Sequence, residues 1–354
     1  MLRLILINLR NTFILLAIVY LSIPIATSVW SGLEATAFPN GSKRARLPNY
    51  KDAPWAVRHF QEYSDLQNGF LSYVGWRVKP YAGSTITINA ERIRVTPPIA
   101  GSSQEATYFF GGSTMWGMGS KDDGTIPAQY QDLTKTTAVN YGESGWTAHQ
   151  SLNQFTELSA EGRRPAVVVF YDGVNEVVNK CLSESNFFSH LYEQRMQDAL
   201  GRKPTDLSYY AQPLLSAAKY VDQKIFGPKD STFDCASNPK KAALVAEALV
   251  SDWAIAKYIA ESQGARFFAF LQPVAFLSKT RVSNIGLDHD AGLGKEFEVV
   301  YPLIRAKMKE RGIGIDLSAV LDHDEYFYID YCHVSPNANK VIAQSMVNAM
   351  NIPD

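Results

Sequence analysis

Residues 166–173 read AVVVFYDG, a run of apolar and aromatic residues closed by Asp172 and Gly173. A short apolar run bounded by a turn signal suits a strand buried on both faces, as parallel sheets covered by helices require. Similar runs recur at 106–112 (ATYFFGG), 136–142 (TTAVNYG) and 265–273 (ARFFAFLQP). Between them lie segments of helical period at 148–160, 241–262 and 294–311. A short strand is expected at 312–317 and a last helix at 336–350. Strands alternating with helices predict an α/β domain with helices on both faces of its sheet. Right-handed crossovers leave few topologies. The expectation is a three-layer αβα sandwich with a mostly parallel, flavodoxin-like sheet over residues 101–354, interrupted by a cap-like insertion at about 177–240.

Working outward, the first thirty residues differ in character from the rest. Residues 12–30, TFILLAIVYLSIPIATSVW, carry no charge, and Arg3 and Arg10 precede them. A helix of about 20 apolar residues crosses a bilayer, whereas a signal-peptide core spans about 7–15. Residues 1–31 are therefore expected to form a signal anchor or transmembrane helix, with the remainder outside a bacterial inner membrane. Cleavage as a secretory signal near Ala26–Ser28 is the alternative. Residues 32–100 are expected to be a linker and a small β-rich preface, because TITINAERIRVT (85–96) alternates as a half-exposed strand does.

The 354 residues include 34 basic and 35 acidic side chains, a net charge of −1, with 46% hydrophobic residues. No basic block supports nucleic-acid binding. Three cysteines without CxxC or HExxH give no zinc pattern, and no metal is expected. In an oxidising compartment Cys181 and Cys235 could pair and leave Cys332 over; unpaired buried thiols are the alternative.

In open α/β sheets ligands bind beyond the carboxyl ends of the strands. The first main strand ends in GGSTMWG, which puts Ser113 after two glycines. The second ends in NYGESGWT, offering glycine N–H groups at 142 and 145. The third ends in DGVNE, where Asn175 offers an amide. Near the C-terminus, DYCHVSPN places Asp330 three residues before His333, just ahead of a helix start at Pro336. That spacing lets a carboxylate orient an imidazole, whose unperturbed pKa of about 6.5 suits proton transfer near neutrality. The other five histidines read as bystanders.

Together, and in this order, the four segments resemble the SGNH (GDSL-type) hydrolase superfamily over roughly residues 106–351. The resemblance implies Ser113 as nucleophile, His333 as base and Asp330 as acid. Gly145, Asn175 and the Ser113 N–H would form the oxyanion hole. Two departures stand out: Gly112 where Asp is usual, and Glu176 where Asp is usual. SYVGWR (72–77) and ITINAERIRVT are similar to membrane-anchored bacterial members that accompany polysaccharide-assembly systems.

The resemblance implies a serine ester hydrolase acting on O-acylated saccharides through an acyl-enzyme, without a cofactor. Trp116, Tyr141, Trp146 and Tyr171 are candidates to line a sugar- or acyl-binding cleft, with ordinary packing at strand ends as the equal alternative. The alternatives are a polysaccharide O-acetyltransferase with the same site, and a membrane-tethered scaffold among polysaccharide-assembly proteins.

Overall fold

The computed structural model describes residues 41–101, 103–183, 232–287 and 291–350 without interruption, and scattered positions among 5–29 and 190–197. Residues 41–192 and 232–354 form one compact unit; residues 1–40 and 193–231 form another.

The first unit begins with a preface. It contains α1 (Gly41–Ala45), a 3-10 turn at Pro48–Tyr50 and α2 (Ala56–Asp65). The antiparallel pairs β1 (Asn68–Leu71) with β2 (Gly75–Val78) and β3 (Tyr81–Ala82) with β4 (Thr87–Ile88) follow. The preface thus holds four short strands, expected to dominate it, beside helical segments of which α2 is the longest. This helix buries Ala56, His59, Phe60 and Glu62. The Glu62 carboxylate accepts from the backbone and hydroxyls of Ser84 and Thr85 and from the Ile86 N–H.

Residues 85–96 do not form one strand as expected. Asn89 reverses the chain: its side chain accepts from the Ile93 N–H at 2.9 Å, and its own N–H donates to the Ile93 carbonyl at 3.0 Å. Arg92 turns through φ +63°, and Arg94 returns as an antiparallel bridge partner of Ile88. The alternation therefore belongs to two arms of a turn.

The main body runs β5 (Ser103–Gly111), α3 (Ser113–Trp116), α4 (Ile126–Thr134), β6 (Thr136–Asn140), α5 (Ala148–Ala160), β7 (Val167–Asp172) and α6 (Val174–Lys180). It continues with α7 (Pro239–Ser262), β8 (Arg266–Leu271), α8 (Ala291–Arg311), β9 (Ile315–Asp316) and α9 (Pro336–Met350). Helix α4 is not among the expected elements; it is short and capped by Thr125, whose hydroxyl accepts from the Ala128 N–H at 3.3 Å.

The five-stranded sheet has the order β6-β5-β7-β8-β9 and every pairing is parallel. In strand sequence this is 2-1-3-4-5, the flavodoxin-like order, with its switch point between β5 and β7. Successive side chains of a strand point to opposite faces, and β7 shows the result. Val168 and Phe170 pack with Leu152, Phe155, Leu249, Trp253 and Val300 under α5, α7 and α8. Val169 and Tyr171 pack with Ile126, Tyr130, Ile342 and Met346 under α4 and α9. The expected three layers are present.

Most of the expected cap-like insertion lies outside the described residues, but its two ends are clear. Cys181 and Cys235 are joined by a disulfide across 54 positions, while Cys332 is free and buried. Beside the disulfide, Asp234 N–H donates to the Cys181 carbonyl and Ser183 N–H to that of Thr232. The expected membrane span also falls largely outside the described residues. Among those described, no helix is long and apolar enough to cross a membrane. Several apolar side chains of the N-terminal segment are solvent-exposed, Phe13 at 74% and Leu15 at 62%.

Candidate active site

All five parallel strands point their carboxyl ends the same way, so the turns after β5, β6 and β7 share one rim. At the end of β5 the chain turns through Gly111, with φ +152°, where a β-carbon would run into the Tyr171 carbonyl. Gly112 is the N-cap, and Ser113 opens α3. The first N–H groups of a helix lack intrahelical acceptors, so the Ser113 N–H is oriented as a donor next to its own hydroxyl. Gln272, just beyond β8, ties this turn to the next. Its amide donates to the Thr114 hydroxyl at 2.8 Å, and its carbonyl accepts from the Val174 N–H at 3.1 Å.

The loop before α9 supplies the partners. His333 Nδ1 lies 2.8 Å from both Asp330 oxygens, and His333 Nε2 lies 2.7 Å from Ser113 Oγ. With Nδ1–H given to the carboxylate, Nε2 presents its lone pair to the serine hydroxyl, which donates to it. Asp330 Oδ1 also accepts from the backbone N–H groups of Cys332 and His333. Burial alone would raise the Asp330 pKa; the His333 ring, its N–H and the Arg44 guanidinium outweigh it and hold the carboxyl far below its usual range. The acid is therefore ionised throughout the neutral range. The three expected residues are brought together.

The oxyanion side is built from two turns. Gly145 sits at φ +80°, a left-handed conformation that glycine adopts without strain. Among the described residues nothing accepts from its N–H; its carbonyl takes a bond from Asn179. Asn175, in the first turn of α6, donates through Nδ2 to the Trp146 carbonyl at 2.6 Å, which leaves that nitrogen a second hydrogen. Gly142 is engaged elsewhere. Its N–H donates to Asn140 Oδ1, while Asn140 Nδ2 reaches the carbonyls of Met115 and Trp116. Of the two glycines offered by the sequence, Gly145 is the one with a spare donor.

Both departures from the family pattern have physical reasons. A β-carbon on residue 112 would collide with the Asn175 amide nitrogen, so a side chain there would have to displace that amide. Glu176 spans two helix starts, accepting from the Ala148 N–H at 2.6 Å and the Gly173 N–H at 2.8 Å. Its extra methylene over Asp provides that reach.

Two arginines that carry no motif signal support these turns from the preface. Arg94 is buried and donates to the carbonyls of Trp116, Gly117 and Ser120, with Asp122 as its ion partner. Arg77, also buried, donates to the Tyr141 carbonyl at 2.8 Å and pairs with Glu143 at 3.7 Å. Burial pushes both guanidinium pKa values down and that of Glu143 up, each opposed by the partner charge. Their one trace in the sequence is a charge inside a run that is otherwise apolar, as in GWRV, where all four residues are buried.

The four aromatic candidates for a cleft lining are packed inside instead. Trp116, Tyr141, Trp146 and Tyr171 are each at most 2% exposed. Arg77 and Arg94 cover three of these rings, and Tyr171 belongs to the sheet core. Aromatic residues after strands here fill the space between turns and preface.

Asp330, Cys332 and His333 bring a carboxylate, a sulfur and an imidazole within 4.8 Å of one another. This donor set is already committed: both ring nitrogens have partners, and burial pushes the Cys332 thiol far up, so it keeps its proton. The arrangement can deprotonate the serine hydroxyl, hold the resulting imidazolium and offer three N–H donors to an oxyanion.

No protein-family model matches the chain, and no curated protein matches it. Solved structures resemble its fold at a distance. A member of the lipolytic protein G-D-S-L family from Veillonella parvula is 12% identical over 70% of this chain and 100% of its own, with a TM-score of 0.38. A carbohydrate acetylesterase family member from Sinorhizobium meliloti is 14% identical over 70% and 98%, at 0.37. An acetyl xylan esterase from Butyrivibrio proteoclasticus is 10% identical over 73% and 65%, at 0.39.

Proposed function

We propose that this chain is a serine ester hydrolase that removes acyl groups from O-acylated saccharides. The observation that carries the reading is the continuous relay from Asp330 through His333 to Ser113 Oγ, closed at 2.8 and 2.7 Å. His333 removes the Ser113 proton as Oγ attacks the ester carbonyl. The N–H groups of Ser113 and Gly145 and the Asn175 amide receive the negative oxygen, where one donor typically contributes about 10²–10³ in turnover. The alcohol leaves with the proton from His333, and water then attacks the acyl-serine with His333 again as base.

The saccharide half of the reading rests on the preface. Its sequence is similar to that of polysaccharide-associated members, and its first hairpin presents Phe70 (69% exposed) and Tyr73 (82% exposed) to solvent. The same hairpin is tied to the Gly145 turn, because Trp146 Nε1 donates to the Trp76 carbonyl and Trp76 Nε1 to that of Ser144. Exposed rings there offer faces on which the C–H groups of a sugar can stack. The exposed apolar N-terminal side chains support membrane tethering.

The test is acetate release from p-nitrophenyl acetate and from acetylated xylan by the full chain in detergent. Ser113→Ala is expected to lower the rate at least about 10³-fold, in keeping with the loss of a triad nucleophile. Equal rates for parent and variant would leave only a scaffold role. Acyl transfer to added sugar that outruns hydrolysis would reassign the chain as an O-acyltransferase.

A further inference from the structure

The carboxylate of Asp330 has a partner from the far end of the chain. Arg44, in α1, donates through Nη2 to Asp330 Oδ2 at 3.2 Å across 286 positions. Oδ1 already accepts from two backbone N–H groups, so Arg44 binds the less crowded Oδ2, which it shares with His333 Nδ1. Arg44 is not locked in the core. Its side chain is 40% exposed, and with Lys43, Leu47 and Tyr331 it borders a pocket of about 230 Å³ behind the acid.

We propose that Arg44 is a positioning residue of the triad: it fixes the Asp330 carboxylate against His333 and draws off part of the charge that would otherwise stabilise the imidazolium. This rests on the ester-hydrolase reading and adds to it. The segment expected to be a passive linker thereby becomes part of the site, and the acid is fully held only when α1 is docked. The other groups around the acid are Lys43 on α1, Tyr50 in the 3-10 turn, Tyr63 on α2, Ser113 on α3 and Cys332 on its own loop. Burial raises the pKa values of Tyr50, Tyr63 and Cys332, so these three stay neutral around pH 7. Arg44 is the cation in contact with the carboxylate.

Removing that cation makes the protonated histidine easier to form, so more alkaline conditions are needed to free the base. The experiment measures kcat and KM against pH for the full-length parent, Arg44→Gln and Arg44→Lys, with Ser113→Ala as the blank. Arg44→Gln is expected to move the acid limb of kcat/KM upward by about half a pH unit, the scale of a partly exposed charge. At pH 7 its kcat falls by at most about threefold, the ceiling for a half-unit shift, while KM holds. Arg44→Lys restores most of the limb position. An Arg44→Gln limb that superimposes on the parent's overturns the proposal, whatever happens to thermal stability. Absence of ester hydrolysis by the parent, or equal rates in parent and blank, removes the hydrolase reading itself and is distinguishable from both outcomes.

Discussion

The Asn175 amide nitrogen occupies the space that a β-carbon on Gly112 would need, closer than real β-carbons approach any neighbour. Gly112, ahead of the proposed nucleophile, and Asn175, the proposed oxyanion donor, are thus fitted to each other across two different strand ends. Gly112→Ala displaces the amide, and Gly112→Asp, the residue more usual in the resembled superfamily, displaces it further. Both are expected to match Asn175→Ala, with kcat down about 10²–10³-fold and KM nearly unchanged. Steady-state kinetics on p-nitrophenyl acetate decides; a Gly112→Asp enzyme as active as the parent contradicts this geometry.

Asp330 is ionised and holds the ring with Nδ1–H toward it. Asp330→Asn keeps the shape but offers an amide N–H to Nδ1 and so favours the other tautomer. A turnover loss of about 10⁴-fold is expected, as for the same exchange in other triads. Circular dichroism of the variant should match the parent, which separates lost chemistry from lost fold.

Acid should loosen the preface before the sheet. Burial, with Arg94 nearby, lowers the His59 pKa from 6.5 to about 4. Because the folded value is depressed, its stabilising contribution is complete above pH 6.5 and is lost as pH falls toward 4. By the usual conversion this is of order 2–3 kcal/mol. Burial would raise Glu62, but the bonds from Ser84 and Thr85 outweigh it and bring it from 4.5 to about 2. Its contribution is present above pH 4.5 and lost below. Urea midpoints recorded from pH 7 to pH 4 should fall, and His59→Gln should flatten the upper part of that fall. A midpoint constant over this range sinks the account.

Cys181 follows α6, whose first turn carries Asn175. Opening the disulfide frees a loop of 54 positions, and the chain-entropy estimate for a loop of that size is about 4 kcal/mol. Cys181→Ser with Cys235→Ser should lower unfolding stability by that order in denaturant titrations. Under reducing agent the parent should behave like the double variant.

The central sheet was legible because each of its strands is a local pattern: a run such as 166–173 needs no knowledge of its neighbours. The grouping of Ser113, Asp330 and His333 was legible for a related reason, since they occupy a strand end and the loop before the last helix. The preface was not. Residues 85–96 alternate as a strand does, yet the Asn89 turn folds them back, and only the side-chain bond to Ile93 reveals it. Arg44, Arg77 and Arg94 acquire their roles through partners 22 to 286 positions away, and no spacing rule covers such distances. The aromatic residues stayed open between cleft and packing, because a ring beside a strand-end turn has the same sequence whether it faces solvent or the guanidinium of Arg77.

The 220 positions between the nucleophile and its base also set an order of events during synthesis. Ribosomes extend chains at about 5–20 residues per second, so Ser113 is made some ten to forty seconds before His333. Over that interval the nascent chain carries an ordinary alcohol with no base to activate it. A product truncated before residue 333 would lack the base of the proposed site, and its Ser113 would stay an ordinary alcohol.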